Sequence, residues 1–312
     1  DGKLTAEADY FNYKRSQILW PRNASVPLSG GLILPYENIG KVGNKGFDFI
    51  VTYRDHAGEF NYSVSLNGGH QKNKILFWDE SPGRPDYQKS TGHPIPIDPK
   101  NPDGNLYYVA MGVFKTDADV AKYAHIDGAR AGDVIFKDVN EDGKITGDDR
   151  VRNYKNNIPT LTGGININLS YKGFDLAILV QGATGAVNYI STESGEIGNY
   201  LQSFADGRWT TAEPNDSKPR TFNRTNEYWV GLGNTYWLRK TDYVRLKNLQ
   251  LGYSLPASIN RRLGIQTLRF YVSGYNLLTY SPDYKDFDPE ASAGSGQSYP
   301  LQRVVTGGLT LT

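Results

Sequence analysis

A run of oxygen-bearing residues occupies positions 138–149 of the chain. It reads Asp-Val-Asn-Glu-Asp-Gly-Lys-Ile-Thr-Gly-Asp-Asp, which matches the D-x-N-x-D-G pattern of calcium-binding loops with an acidic residue at the twelfth position. Carboxylate, amide and backbone carbonyl oxygens are the ligands that calcium prefers, and the glycine permits the sharp turn. The predicted ligands are Asp138, Asn140, Asp142, Lys144 through its backbone carbonyl, and Asp149. The run therefore predicts a structural calcium site, and magnesium is the other ion that such oxygens bind.

A second interpretation of this loop stays open. The twelfth residue is Asp149, which has a shorter reach for bidentate binding than the usual glutamate. Gly132 and Asp133 lie close upstream and disfavour a long preceding helix, so a helix–loop–helix sensor is not expected. The alternative is an Asx-rich turn that holds its shape without metal. In both cases Ile145 is the apolar residue expected to pin the loop.

Large aromatic residues fall in or beside the long stretches that lack strand character. They are Trp78, Trp209, Trp229, Tyr236 and Trp237. Flat apolar rings can stack on sugar rings or on a peptide, so these residues are candidates for ligand binding. The alternative, which we favour for any single residue, is a role in an interfacial girdle or in small cores within the loops.

Patterns of enzymatic catalysis are absent from the sequence. The four histidines (His56, His70, His93 and His125) are scattered, no serine sits in a G-x-S-x-G elbow, and there is no cysteine. Paired carboxylates occur in any chain with 33 Asp and Glu residues, so their number alone does not rule out glycoside cleavage. The formal net charge of +1 gives no electrostatic footprint for nucleic acid. We expect a protein that is not an enzyme and does not bind nucleic acid.

Much of the remaining sequence alternates between apolar and polar residues, as a β-strand with two different faces does. Ile165, Ile167 and Leu169, for example, alternate with Asn166 and Asn168. The segments with this pattern are 4–10, 47–54, 60–67, 165–172, 174–180, 248–255, 268–273 and 305–311. The pattern predicts about eight strands, each near the ten residues of a barrel span.

The connections between these segments alternate between short and long. The short ones lie at 55–58, 172–173 and 256–266, and the long ones at 15–43, 72–160, 185–240 and 280–302. Transmembrane barrels have this organisation, because their periplasmic turns are short and their outer loops long. We therefore predict an all-β, transmembrane antiparallel β-barrel with long extracellular loops. A soluble β-sandwich or lectin-like domain is the alternative, since one polar face also suits a soluble sheet.

Composition agrees with a barrel. The mean hydropathy is −0.54, and no run approaches the roughly 18 apolar residues of a membrane-spanning helix. Aromatic residues make up 12% of the chain, with 22 tyrosines, which suits strands whose ends lie at a membrane interface. The polar faces carry Asn, Ser, Gln and Gly, residues that fit a wet barrel interior better than the outer face of a soluble sheet.

Several of these segments resemble the SusC/RagA type of TonB-dependent outer-membrane transporters. The segments that carry the likeness, in order, are 132–150 (GDVIFKDVNEDGKITGDDR), 162–182, 208–215 (RWTTAEPN), 237–256 (WLRKTDYVRLKNLQLGYSLP) and 270–290. They cover most of the chain from about residue 44 onward. The resemblance implies that residues 1–312 are the carboxy-terminal portion of a barrel of about 22 strands.

The resemblance also implies a function and partners. It implies active import of oligosaccharides or peptides across the bacterial outer membrane, energised through TonB and capped by a SusD-like surface lipoprotein. No signal peptide, plug or TonB-contacting segment is recognisable, and the aromatic residue with which the family usually ends would belong at the position after Thr312. We therefore expect the amino-terminal portion of the same transporter as a further partner, besides outer-membrane lipid. The alternatives are a stand-alone eight-stranded surface barrel and a secreted calcium-binding carbohydrate-binding β-domain.

Overall fold

The computed structural model describes residues 2–22, 35–96, 104–190, 201–221, 227–291, 299 and 301–312. The strands are β1 (Leu4–Pro21), β2 (Tyr36–Ala57), β3 (Phe60–Phe77), β4 (Leu106–Tyr108), β5 (Ala110–Val113), β6 (Val134–Phe136), β7 (Arg150–Arg152), β8 (Leu161–Tyr171), β9 (Phe174–Thr184), β10 (Val187–Tyr189), β11 (Leu238–Lys240), β12 (Tyr243–Ser254), β13 (Leu268–Tyr280) and β14 (Val304–Leu311). The short helices are α1 (Asp117–Val120), α2 (Gln202–Ala205), α3 (Tyr228–Gly231) and α4 (Ala257–Arg262). Within the described ranges, 3-10 turns lie at Asp86–Gln88, Gly147–Asp149 and Thr235–Trp237.

The long strands form one antiparallel sheet of eight, in the order β1-β2-β3-β8-β9-β12-β13-β14. These are the eight strands that alternation predicted, and neighbours in the sheet are neighbours in that sequence order. The predicted length of about ten residues is wrong for β1, β2 and β3, which have 18, 22 and 18 residues. Their pairing continues beyond the alternating segments, because the backbone ladder does not require one face to be apolar.

The register of the sheet gives it one apolar and one polar face. One cross-strand row on the apolar face consists of Leu4, Tyr53, Val64, Ile167, Ile178, Leu249, Gly274 and Val305. The adjacent row on the other face consists of Thr5, Thr52, Ser65, Asn166, Leu179, Asn248 and Tyr275. On the apolar face Leu251 and Val272 are 53% and 58% exposed. A contiguous face of exposed aliphatic residues is costly in water and suits a lipid environment.

Short turns close the sheet at one end only. Gly58 and Glu59 join β2 to β3, so this turn lies slightly later than the predicted 55–58. Lys172 and Gly173, both with positive φ (47° and 86°), form the predicted turn between β8 and β9. Pro256 opens α4 in the third short connection, as its fixed φ predicts. The long connections all lie at the opposite end.

Aromatic side chains gather at the short-turn end of the apolar face, and we call this group the aromatic belt. Its members are Tyr53, Phe60, Tyr62, Tyr171, Phe174, Tyr253 and Phe270. The ring centroids of Phe174 and Tyr253 are 4.5 Å apart, and those of Phe60 and Tyr171 are 6.5 Å apart. Amphipathic rings concentrate where a hydrocarbon core meets its polar boundary.

The sheet is open. Among the strands that the structure describes, β1 and β14 stand at the two edges and do not pair with each other. No helix in the described part of the chain is long and apolar enough to cross a membrane.

Candidate functional site in the loop layer

The two longest connections, 78–160 and 185–242, fold together as far as they are described, and we call them the loop layer. They contribute the strands β4 to β7, β10 and β11 and the helices α1, α2 and α3, with the strand pairs β4–β7, β5–β6 and β10–β11. Tyr108 bridges Asn234, and the Ala110 backbone N–H donates to Thr235 Oγ1 over 2.9 Å. Each connection therefore supplies backbone partners that the other needs.

A hydrophobic cluster, the loop core, holds the loop layer together. Its buried members are Tyr108, Val134, Phe136, Trp229 and Trp237. The rings of Tyr108 and Phe136 stack with centroids 5.0 Å apart, and those of Trp229 and Trp237 are nearly parallel at 6.0 Å. The first three members come from one connection and the two tryptophans from the other, so the core forms only when both connections meet.

A buried ionic network lies beside the loop core. Asp133 is 1% exposed, and its Oδ1 accepts from Arg220 Nε at 2.8 Å and from Trp229 Nε1 at 3.3 Å. Arg220 also pairs with Glu227. Burial raises the pKa of Asp133, while the charge of Arg220 opposes that rise. The network ties segments almost 90 residues apart in the chain.

Gly132 permits this arrangement in two ways. Its φ of +88° lies in the region that favours glycine, and an added Cβ would lie 2.7 Å from Cε3 of Trp209 and 2.8 Å from Cβ of Arg220. The Trp209 indole donates to the Lys115 carbonyl over 3.0 Å. Two of the segments that carry the family resemblance, 132–150 and 208–215, therefore pack directly on each other.

Replacing Gly132 with alanine is expected to loosen the loop layer and leave the sheet assembled. The left-handed backbone costs an alanine about 1–2 kcal/mol, and the overlap with Trp209 adds about 1–3 kcal/mol. Hydrogen exchange of residues 105–136 measures the effect. Gly128→Ala is the matched control, because Gly128 has φ +84° and an added Cβ there meets nothing within 4 Å. Equal exchange in the two variants would show that the Trp209 contact contributes nothing.

A cluster of charged side chains holds a further connection against the polar face of the sheet, which we call the inner wall. We call residues 281–291 the strap and the cluster around Arg245 the Arg245 cluster. The Arg245 side chain is fully buried on the polar face; its Nη2 donates to Asp288 at 2.7 and 2.8 Å, its Nε donates to Thr279 Oγ1 at 3.0 Å, and its Nη1 donates to Glu290. The guanidinium thus satisfies two carboxylates of the strap with its fixed fork of donors.

Glu290 accepts hydrogen bonds from three further polar side chains of the inner wall. Its carboxylate accepts from Tyr243 Oη at 2.8 Å, Gln181 Nε2 at 2.7 Å and Lys247 Nζ at 3.1 Å. The strap also reaches the loop layer, where Asp286 accepts from Ser203 Oγ at 2.8 Å. The strap therefore connects the inner wall of the sheet to the loop layer.

The predicted calcium loop has the compact shape of an Asx-rich turn. Asp138 accepts from the backbone N–H groups of Asp142 (3.3 Å) and Gly143 (2.8 Å). Asp142 accepts from Lys144 N at 2.9 Å and from Asn140 Nδ2 at 3.1 Å. Gly143 has φ +82°, as the pattern predicts. Each carboxylate oxygen that accepts one of these hydrogen bonds keeps a further lone pair, so these oxygens are chemically suited to coordinate an ion.

Asp149 has a structural role in the same loop. It is fully buried and accepts from the backbone N–H groups of Val139 (2.8 Å) and Thr146 (2.7 Å). Ile145 packs on the loop core, which is the pinning contact expected from the sequence. Within the described ranges, no group of three or more Asp, Glu or His side chains is arranged to hold a metal ion. Calcium binding stays a prediction.

Calcium titration of the complete protein tests it. Binding in the millimolar range typical of extracellular sites is expected to protect the exposed Lys144 from trypsin. Asp138→Asn combined with Asp142→Asn should abolish that protection, whereas Asp148→Asn, outside the predicted ligand set, should retain it. The absence of both heat and protection in the wild type would leave only the metal-free turn.

The structure brings three of the five predicted aromatic residues into one place. Trp229 and Trp237 are buried in the loop core and Tyr236 packs against it, so in this conformation a ligand cannot stack on the two tryptophans. Trp78 lies in a separate cluster, where its ring stacks on Trp20 with centroids 4.1 Å apart. Trp209 covers Gly132. These positions fit small cores within the loops, the alternative favoured from the sequence; ligand binding by these residues stays a prediction.

Burial also raises the pKa of the tyrosines beside the loop core. The pKa of Tyr236 is raised to about 12 and that of Tyr228 is raised as well, since the charged form loses its hydration. Tyr228 donates its hydroxyl proton to the Val134 carbonyl over 2.6 Å. Both phenols are neutral hydrogen-bonding groups at physiological pH.

Sequence reasoning missed the Arg245 cluster and the Asp133 network. Alternation in β12 places Arg245 on the polar face, but its partners Asp288 and Glu290 follow 43 and 45 residues later. Nothing local in a sequence connects residues at that separation. A long cationic side chain on the predominantly polar, uncharged face of β12 was the available local signal.

Comparison with known proteins identifies the family of the chain. No protein-family model matches it. The TonB-dependent receptor P3 of Formosa agariphila is 31% identical over 344 residues, a match that covers 100% of this chain and 32% of the relative. The chain belongs to the TonB-dependent receptors. The TonB-dependent receptor P26 of the same organism is 27% identical over 340 residues and is covered to 33% of its length. The receptor chain thus spans about a third of the curated relatives that it matches.

The fold of the receptor chain agrees with solved structures. The RagAB peptide importer in its open-open state matches with a TM-score of 0.73 at 22% identity, over 99% of this chain and 33% of that one. The resemblance to the SusC/RagA type, the antiparallel β-barrel fold and the outer-membrane location are confirmed. The relatives are named as receptors and an importer, which agrees with the expectation that the chain is not an enzyme. The assignment of residues 1–312 to the carboxy-terminal portion stays a prediction.

Proposed function

We propose that the chain forms part of the wall and the outer loops of an importer that moves oligosaccharides or peptides across the outer membrane. The observation that supports this proposal most directly is the eight-stranded sheet with one apolar and one polar face, in a chain that belongs to the TonB-dependent receptors. The polar face carries Asn, Ser, Thr and Gln along its rows and so offers a wet path beside the lipid-facing side. A peptide cargo has the additional support that RagAB is a peptide importer.

The open edges of the sheet support a larger assembly. Backbone groups at an unpaired edge cannot be left in hydrocarbon, because each costs several kcal/mol without a partner. Strands from the amino-terminal portion of the same receptor would satisfy β1 and β14. This argues against the stand-alone eight-stranded barrel, and the exposed aliphatic face argues against the secreted soluble domain.

The proposal includes the energy source and the partners. TonB would supply energy through the amino-terminal portion, and a SusD-like lipoprotein would cover the loop layer as a lid. The loop layer is suited to be the surface on which such a lid rests, since its own core and ionic network give it a fixed shape at the end of the sheet opposite the short turns.

Uptake assays test the function. Cells that express the complete receptor are supplied with fluorescent oligosaccharides and peptides, with and without TonB and with and without the SusD-like lipoprotein. Uptake of one cargo class that ceases without TonB, while surface binding persists, is the expected result. Uptake that continues unchanged without TonB would overturn the proposal.

A further inference from the structure

The connection between β12 and β13 is a rigid structure. Pro256 precedes α4, and Gly264, with φ +72°, ends it. Asn260 is 4% exposed, and its Nδ2 donates to the carbonyls of Leu255 (3.1 Å) and Gln266 (3.4 Å). The Gln266 N–H in turn donates to the Thr312 carbonyl over 2.8 Å. The helix is therefore held from both ends of the connection and from the end of β14.

The exposed surface of α4 and its C-cap residue is amphipathic. Ile259 and Leu263, one helical turn apart, are 42% and 58% exposed. Arg261 and Arg262 are also exposed, and neither forms an ion pair with any residue in the described ranges. Two apolar and two cationic side chains thus stand uncovered on α4 and its C-cap residue, Leu263.

The position of α4 identifies what covers it. The helix follows Tyr253 of the aromatic belt by only a few residues, and it lies at the short-turn end, which is the periplasmic end of a barrel. It therefore lies just beyond the aromatic belt, at the end of the sheet where hydrocarbon gives way to phosphate groups.

We propose that α4 is a lipid anchor of the periplasmic leaflet. Ile259 and Leu263 enter the acyl-chain boundary, and Arg261 and Arg262 bind the phosphate groups of phospholipids. Arginine suits this position because its apolar stem lies along the hydrocarbon while its planar head donates to phosphate in pairs of hydrogen bonds. The anchor rests on the outer-membrane location of the chain and is independent of what the receptor imports.

The depth of the helix is measured with spin labels in the complete receptor, reconstituted in nanodiscs of phosphatidylcholine and phosphatidylglycerol. Labels on Ile259→Cys and Leu263→Cys are expected to be relaxed more by oxygen, which dissolves in lipid, than by a water-soluble nickel complex. A label on Ser258→Cys, which is also exposed and lies about 100° round the helix from Ile259, should show the reverse. A nickel preference at all three positions would place the helix in water and overturn the anchor.

The phosphate contact is measured by native mass spectrometry of lipids that the receptor retains. Removing both cations with Arg261→Gln and Arg262→Gln is expected to lower the preference for phosphatidylglycerol over phosphatidylcholine by about tenfold, since each cation contributes near a charged surface. Lys155→Gln with Arg208→Gln, exposed charges of the loop layer, should leave the preference unchanged. An unchanged preference in the Arg261/Arg262 variant would refute the phosphate contact. Inorganic phosphate in excess should not displace the lipid; if it does, α4 is an anion site and not a lipid anchor.

Discussion

Replacing Arg245 with alanine is expected to release the strap from the barrel wall. The substitution leaves Asp288 and Glu290 side by side without their shared cation. Removing one member of a buried, hydrogen-bonded charge network costs about 3–5 kcal/mol, and the partial exposure of the two carboxylates places this site at the lower end of that range. Trypsin cleavage after the exposed Lys285 in the purified receptor should therefore accelerate by tenfold or more, because the opened strap becomes a substrate.

Arg269→Ala is the matched control for this prediction. Arg269 also lies on the inner wall and forms a close pair with Asp175 at 2.5 Å, but both side chains are partly exposed. Such a pair contributes about 1 kcal/mol or less, so cleavage at Lys285 should not change. Arg245→Lys should give an intermediate rate, because a single ammonium cannot serve two carboxylates with forked geometry. Wild-type cleavage in Arg245→Ala would mean that the strap is held by other contacts.

Replacing Trp229 with alanine is expected to unfold the loop layer without dismantling the sheet. Trp229 is fully buried, contacts both Tyr236 and Trp237, and donates to Asp133. Truncation of a buried tryptophan to alanine costs about 3–5 kcal/mol through lost burial and the cavity that remains. Asp133 also loses one donor in a buried site. Amide hydrogen exchange should become fast in β5, β6 and β11 and remain slow in β8 and β9.

Trp78→Ala separates a local effect from a general one. Trp78 is also buried, but its cluster with Trp20 and Ile75 is distinct from the loop core. This variant should leave exchange in β5, β6 and β11 unchanged. If Trp229→Ala instead accelerates exchange throughout the eight-stranded sheet, the loop layer and the barrel wall form one cooperative unit, contrary to our account.

The strands were predictable because their two environments leave a period-two trace. Ile165 to Leu169 alternate with asparagines, and the structure places the two sets on opposite faces. The turn at Lys172-Gly173 was predictable for a different reason: positive φ in a two-residue hairpin turn favours glycine, which stands at its second position. The extension of β2 back to Tyr36 left no comparable trace, because β2 pairs there beyond its alternating segment.

The candidate site was predictable only where the signal is local. The turn at Asp138, Gly143 and Ile145 follows a fixed spacing, and the structure has that shape. Trp229 offered no such signal, since a tryptophan in a loop suits either a ligand platform or a core. Its burial depends on Val134 and Phe136, almost 100 residues earlier in the chain.

The central claim is that the apolar face of the sheet contacts lipid and the polar face lines a wet interior. Ile167 and Asn168 are adjacent in the middle of β8 and lie on opposite faces. Arginine on a lipid-facing strand near the membrane centre costs about 2–4 kcal/mol, whereas a water-filled interior tolerates it. The measurement is the amount of folded receptor in the outer membrane of cells that express Ile167→Arg or Asn168→Arg. We expect Ile167→Arg to reduce it several-fold and Asn168→Arg to leave it near the wild-type amount; the opposite order would contradict the account.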